Sequence, residues 1–152
     1  MANTYSQIYI HLVFSVKNRH ALLYPESFRE EIFRRLAAGI NIRGNHVIAI
    51  GGVEDHVHIL FGLNPAESIS KLVQAIKKDT SNWARIRTGG KSLFFWQRGY
   101  GAFSYSPSHV PQVKEYIMHQ REHHAHVTFK DEYIRILQNY NVDYDDNYVA
   151  DI

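Results

Sequence analysis

Two histidines separated by one residue, His56 and His58, have the residue type and the spacing best suited to chemistry in this chain. They lie in residues 55–61, whose apolar and β-branched composition is typical of a strand. Side chains two residues apart on a strand point to the same face, so both imidazoles would meet at one point and form half of a metal site. Because a bare His-x-His is short and common, the alternative is two polar residues on the solvated face of a sheet.

A second set of candidate residues lies near the C-terminus. Tyr116 and Gln120 are four residues apart in a stretch with helical spacing, which puts them one turn apart on the same helix face. Alone, a helical tyrosine usually packs and a helical glutamine is usually solvated. We expect His11 to be a satisfied polar group of the core, and His123 and His124 to be phosphate contacts or plain surface residues.

Composition limits the class of protein. With 152 residues, the chain predicts one domain of residues 1–152, with a core over about residues 5–140 and an acidic tail over residues 141–152. It has no cysteine, which excludes disulfides and thiolate metal sites and favours a reducing cytoplasm. No run is apolar enough to suggest a membrane span.

The net charge of +2 is small, but its distribution is uneven. Residues 71–98 contain seven basic residues and a single acid, Asp79. A segregated basic block is a possible footprint for phosphate groups, and a solvated helix face is the alternative. We expect DNA contacts first at Lys77, Lys78, Arg85 and Arg87, and then at Lys17, Arg19 and Arg98.

The order of predicted elements indicates the fold. Aromatic, β-branched or Gly-flanked runs predict strands over residues 5–16, 46–52, 55–61, 94–97 and 101–105. Helical spacing predicts helices starting near Pro25 and Ser68, a third over residues 109–124 and a last one over residues 129–138. Strand, helix, strand, strand, helix, strand is the ferredoxin-like split βαβ pattern of an α+β protein, an antiparallel sheet with two helices on one face. On this interpretation the other face of the sheet is free to present His56 and His58.

Taken together, these motifs resemble those of the single-tyrosine HUH transposases, the small insertion-sequence and REP-associated type. The segment Asp55-His56-Val57-His58 resembles their His-hydrophobic-His motif. The stretch around Tyr116, Gln120 and His123 resembles their tyrosine helix. Residues 9–14 and 96–104 are also similar, so the resemblance runs over about residues 5–140.

The resemblance implies cleavage and rejoining of single-stranded DNA at the ends of a mobile element, recognised partly as an imperfect hairpin. It implies that Tyr116, on a C-terminal helix, is the nucleophile and that His56, His58 and Gln120 are the metal ligands. The implied metal is Mg²⁺ or Mn²⁺, and the implied assembly is a homodimer in which one subunit's tyrosine helix can serve the partner's histidine pair.

The chemistry of the residues agrees with this reading. A tyrosine hydroxyl, with an ordinary pKa of about 10, is a poor nucleophile at neutral pH unless its surroundings favour the phenolate. A divalent cation at the scissile phosphate can neutralise developing charge, and a 5′-phosphotyrosine keeps the phosphodiester energy for rejoining. From ligand chemistry alone, imidazoles favour manganese over magnesium. Two alternatives stay open: a metal-dependent phosphodiesterase that uses water, and a nucleic-acid-binding module without chemistry.

Overall fold

The structure, a computed structural model, describes residues 4–17, 22–90, 94 and 96–145. Its strands are β1 (Tyr9–Ser15), β2 (His46–Val53), β3 (His56–Gly62) and β4 (Gly101–Tyr105). Its helices are α1 (Glu26–Ile42), α2 (Ile69–Arg87), α3 (Val110–Met118), α4 (Gln120–His124) and α5 (Phe129–Asn139). A short 3₁₀ helix, Pro107–His109, leads into α3.

The four strands form one antiparallel sheet in the order β2-β3-β1-β4. This order, with α1 and α2 as the crossover helices, confirms the predicted ferredoxin-like split βαβ fold of the α+β class. The strands that carry the histidines lie at the centre, where β3 pairs with both β1 and β2. The register places Val13 and Gly51 on either side of His58, so these side-chain positions share one face of the sheet.

Local sequence explains where the two crossover helices begin and end. Ser68 caps α2, since its hydroxyl accepts a hydrogen bond from the backbone N–H of Lys71. Arg85 and Arg87 in the last turn of α2 face the negative end of the helix dipole. After α1, Gly44 adopts a φ of +85°, the left-handed conformation that commonly ends a helix.

The alternation of side chains along the strands divides the core into two layers. One face of the sheet contributes Leu12, Phe14, Ile59 and other apolar residues to the main core beneath α1 and α2. The opposite face contributes two smaller apolar clusters. Ala49 and Leu60 pack with Val113 and Ile117 of α3, while Val13 and Phe103 pack with Phe129, Tyr133 and Leu137 of α5.

The expectation that this second face is free was therefore wrong. Its apolar positions are buried, Val13 and Leu60 completely, because α3 and α5 cover them. Burying them is favourable by about 25 cal/mol per Å² of apolar surface removed from water. His56 and His58 consequently lie in a buried layer between the sheet and the C-terminal helices.

Four predicted elements also differ from the structure. The helix predicted over residues 109–124 is broken at His119, whose φ of −114° and ψ of 31° leave the helical region, so Tyr116 and Gln120 lie on separate helices. In the described part of residues 94–97 there is no strand, only an isolated bridge between Trp96 and Val16. The first strand is shorter than predicted, and α5 ends one residue later than the predicted helix.

Candidate active site

The histidine pair lies at the start of β3, directly after the Glu54-Asp55 turn that joins it to β2. Both side chains point to the face covered by α3–α5, as the strand period predicted, and neither has any exposed surface. Asp55 Oδ1 lies 2.6 Å from His56 Nδ1 and accepts its hydrogen bond, which directs Nε2 of His56 towards the helices. Asp55 therefore orients the His56 ring through the nitrogen that faces away from the helices, as a hydrogen-bond acceptor usually does for a metal-binding histidine.

A carboxylate that the sequence did not single out occupies the centre of this site. Glu132, in the first turn of α5, places Oε1 3.0 Å from His58 Nε2, 3.1 Å from His124 Nε2 and 3.4 Å from His56 Nε2. The hydroxyl of Tyr116 donates a hydrogen bond to the other oxygen, Oε2. Glu132 thus joins the histidines to the tyrosine, although its carboxylate is almost completely buried.

The sequence does contain a weak signal for Glu132. On α5 it lies three residues after Phe129 and next to Tyr133, within the stripe of residues that faces the core. An acidic residue in an apolar stripe needs a partner, because burying an unpaired carboxylate is costly. Which partner it has depends on the tertiary structure.

The donor atoms fit a divalent metal ion. His56, His58, His124 and Glu132 each offer one ligand atom, and these atoms all lie within 4.8 Å of one another. Gln120 Oε1 is also close, 3.2 Å from His56 Nε2 and 3.0 Å from His124 Nε2. Imidazole nitrogens with carboxylate and amide oxygens suit Mn²⁺ and related transition metals better than Mg²⁺. The expectation of a surface position was wrong for His124, whose side chain is only 9% exposed.

The surroundings of the buried layer shift the pKa values of His56 and His58 in opposite directions. For His56, burial lowers the pKa, but hydrogen bonds to Asp55 and Glu132 outweigh burial and raise the pKa to about 9. For His58, burial dominates and lowers the pKa to about 4. Burial raises the pKa of Glu132, yet hydrogen bonds from His124, His56 and His58 bring it far below its usual range. The surroundings therefore favour the charged form of His56, the neutral form of His58 and the ionised form of Glu132.

Tyr116 lies beside the histidine pair of its own chain. Its ring stands edge-on to the ring of His58, with centroids 5.7 Å apart, and edge-on to His123 at 5.3 Å. Burial, followed by the charge of Glu132, raises the pKa of the Tyr116 hydroxyl well above its usual range. In this arrangement the tyrosine is protonated and held by Glu132.

A glycine lets the tyrosine helix approach the sheet. A Cβ atom added at Gly51 of β2 would lie 2.2 Å from the carbonyl oxygen of Ile117, the residue after Tyr116. No larger residue fits there without moving α3. Beyond the break at His119, the Gln120 side chain donates back to the carbonyl of Tyr116 over 3.3 Å, which links α4 to α3.

A cavity opens directly beside the tyrosine. It has a volume of about 270 Å³ and is lined by residues that include His11, Tyr116, His123, Glu132, Arg135 and Asn139. Arg135 and Asn139 lie on exposed positions of α5 at its edge. The cavity gives a group entering from solvent a route to the tyrosine hydroxyl and to Glu132.

Four of the seven basic residues expected to contact DNA line one open groove. Lys77, Lys78, Arg85 and Arg98 surround a depression of about 600 Å³ between α2 and the segment before β4. Lys77 donates to the carbonyls of Gln97 (2.9 Å) and Gly99 (2.6 Å), and burial lowers its pKa to about 8. The ammonium group of Lys77 thus holds Gln97 and Gly99, which line the groove, close to α2.

Two of the other three basic residues, Arg87 and Lys17, do not line this groove. Arg87 pairs with Glu31 and lies over the ring of Trp83, 5.2 Å from its centroid. Lys17 is exposed directly after β1 and is not among the residues that line the groove. Arg19 lies outside the described residues.

Comparison with known proteins agrees with the fold and the motifs. Two solved structures share the architecture: a protein described as a transposase of Deinococcus radiodurans R1 (TM-score 0.59, 22% identity, 77% of this chain and 93% of that one) and a REP-associated tyrosine transposase bound to a REP hairpin (TM-score 0.55, 16% identity, 77% and 68%). At these identities the likeness concerns the fold alone.

Sequence comparison gives the family. The family model described as "Transposase IS200 like" matches residues 4–120. The transposases for insertion sequence element IS200 of Salmonella typhimurium (strain LT2) and Salmonella typhi are each 26% identical to this chain over 129 residues, which cover 80% of this chain and 82% of each relative. The chain belongs to the IS200-like transposase family. The matched segment ends at Gln120, so Glu132 and α5 lie beyond it.

Among the described helices, none combines the length and the apolar character needed to span a bilayer.

Proposed function

We propose that this transposase cleaves and rejoins single-stranded DNA at mobile-element ends through a covalent 5′-phosphotyrosine on Tyr116. One observation carries the proposal: the Tyr116 hydroxyl and the Nε2 atoms of His56 and His58 meet at the same carboxylate, Glu132. Covalent phosphoryl transfer uses a nucleophile beside a bound metal ion, whereas binding alone requires neither.

His56, His58 and Gln120 would hold the metal ion, with Glu132 and His124 close enough to complete its coordination. When bound, the ion supplies positive charge at the scissile phosphate. The set of imidazoles favours Mn²⁺, and Mg²⁺ is the alternative.

The residues of this chain then perform the cleavage and rejoining of the strand. The scissile phosphate enters through the cavity lined by Tyr116 and Arg135. The Tyr116 oxygen forms a bond to phosphorus while the bond from phosphorus to the 3′ oxygen breaks. The hydroxyl proton of Tyr116 passes to Glu132, and the leaving 3′ oxygen takes a proton from solvent water. The hydroxyl proton of Tyr116 is already directed at Oε2 of Glu132, the acceptor within reach. Rejoining reverses these steps.

The groove lined by Lys78, Arg85 and Arg98 is the proposed contact for the DNA backbone. Contacts of this kind supply affinity that depends on salt and carry little sequence information. We also propose a DNA hairpin as part of the substrate, because the REP-associated tyrosine transposase of similar fold is bound to a REP hairpin.

The test is a denaturing gel of protein mixed with single-stranded DNA that carries candidate element ends and Mn²⁺ or Mg²⁺. We expect a protein-linked DNA band that Tyr116→Phe and His56→Ala abolish. Tyr133→Phe is the matched control, because this buried tyrosine neighbours Glu132 in sequence but has its hydroxyl near Gly101. Hydrolysis that survives Tyr116→Phe would favour the phosphodiesterase alternative. DNA binding without cleavage of any element end would favour the binding module.

A mixing experiment tests the predicted homodimer with shared tyrosine helices. In the structure Tyr116 lies beside its own histidine pair, so a single chain contains every proposed catalytic residue. If the tyrosine serves the partner's site, a mixture of Tyr116→Phe and His58→Ala proteins regains cleavage. If it serves its own chain, the mixture stays inactive. Light scattering measures whether the dimer forms.

A further inference from the structure

His11 has a contact that the proposed mechanism does not use. It lies in the middle of β1 and is only 1% exposed, and its Nε2 is 2.8 Å from Nδ1 of His58. The two rings are stacked, with centroids 5.0 Å apart and planes inclined by 29°. The other nitrogen of His11, Nδ1, has no hydrogen-bond partner among the described residues.

Hydrogen-bond roles in the metal-free site follow from Glu132. An ionised carboxylate only accepts hydrogen bonds, so Nε2 of His58 carries a proton and donates it to Glu132 Oε1 over 3.0 Å. A neutral imidazole carries a single proton, so with that proton on Nε2 the Nδ1 atom of His58 is an acceptor. The short contact with His11 then requires that His11 carry its proton on Nε2 and donate it to His58.

A metal ion on Nε2 of His58 reverses this arrangement. The ligand nitrogen must offer its lone pair, so the single proton of neutral His58 moves to Nδ1. There it can only be donated to Nε2 of His11, which becomes the acceptor, and the proton of His11 moves to Nδ1. Among the described residues, Nδ1 of His11 has no hydrogen-bond partner. Moving the proton of His11 to Nδ1 therefore breaks no other hydrogen bond between described residues.

We propose that His11 is a positioning residue of the metal centre, which accepts the Nδ1–H of His58 and so keeps His58 Nε2 directed at the metal ion. The inference rests on the proposed metal site. Ligating histidines nearly always donate their second N–H to such an acceptor, and loss of the acceptor typically weakens metal binding by 10- to 100-fold. If position 11 had only a structural role, an apolar side chain would serve there, because its neighbours on this face of the sheet include Val13 and Phe103.

Two measurements on the full chain test this role. The first is the Kd for Mn²⁺, followed by electron paramagnetic resonance, in wild type, His11→Phe and His11→Gln. We expect His11→Phe to weaken binding by about 10- to 100-fold. His11→Gln, whose side-chain oxygen can accept the same hydrogen bond, should recover most of the affinity. Urea unfolding of both variants shows whether the sheet is intact.

The second measurement is the tautomeric state of His58 and His11 in wild type, read from long-range ¹⁵N–¹H correlations with and without diamagnetic Zn²⁺. Both protons should move from Nε2 to Nδ1 when the metal binds. Equal Mn²⁺ affinity in wild type and His11→Phe, or an unchanged His11 tautomer, would overturn the inference while leaving the metal site standing. A wild-type protein that binds neither ion would overturn the metal site itself, and the inference with it.

Discussion

Replacing Gly51 by alanine should move the tyrosine helix without touching any catalytic group. The added Cβ would lie 2.2 Å from the carbonyl oxygen of Ile117 and 3.1 Å from its carbonyl carbon. Backbone atoms cannot turn aside as a side chain can, so α3 must retreat by about 1 Å to restore van der Waals contact. Overpacking of this size costs about 1–3 kcal/mol of unfolding free energy.

The larger effect should fall on cleavage. Tyr116 directly precedes Ile117, so the displacement carries the nucleophile away from His58 and Glu132. A misplacement of about 1 Å can slow a reaction by about 100-fold, because attack in line depends on position. We therefore expect Gly51→Ala to fold and bind DNA but to form its covalent adduct about 100-fold more slowly.

The assay pairs urea unfolding with the initial rate of adduct formation on single-stranded DNA. Gly62→Ala is the matched control, since a Cβ there would have its nearest neighbour at 3.9 Å. Neither glycine has a positive φ, so the comparison isolates steric contact from backbone strain. If Gly51→Ala kept the stability and adduct rate of Gly62→Ala, the close approach of α3 to β2 would not position Tyr116.

Three further predictions concern the groove, a surface ion pair and the last helix. Lys78→Ala should lower the slope of log Kd for DNA against log salt concentration by about one, because it removes one phosphate contact; exposed Arg34→Ala on α1 should leave the slope unchanged. Hydrogen bonds from Arg43 lower the pKa of Glu67 to about 2, so this pair stabilises the fold above pH 4.5 and the contribution is lost as the pH falls to 2. Urea midpoints measured against pH should therefore show a shallower acid decline for Glu67→Gln, and an identical decline would contradict the pairing. Phe129→Ala should cost about 3–5 kcal/mol in urea unfolding. It should also weaken Mn²⁺ binding, because Phe129 stacks on His56 at 4.2 Å and anchors the helix of Glu132; an unchanged Kd would separate α5 from the metal site.

Several features of the site were determined by local sequence. The two-residue period of a strand put His56 and His58 on one face, and helical spacing with capping residues such as Ser68 located α1, α2 and α5. These patterns are readable because each reflects interactions between residues a few positions apart, and they were enough to give the element order and hence the ferredoxin-like sheet.

The tertiary structure alone decided how the site is closed. Glu132 meets His58 across 74 positions of the chain, and His11 meets His58 across 47. Nothing near Glu132 in sequence shows that α5 will cover the histidine face, and nothing near His119 predicted the break between Tyr116 and Gln120. These features follow from the need to bury the apolar residues of both sheet faces while pairing every buried charge, a condition that the whole chain must satisfy at once.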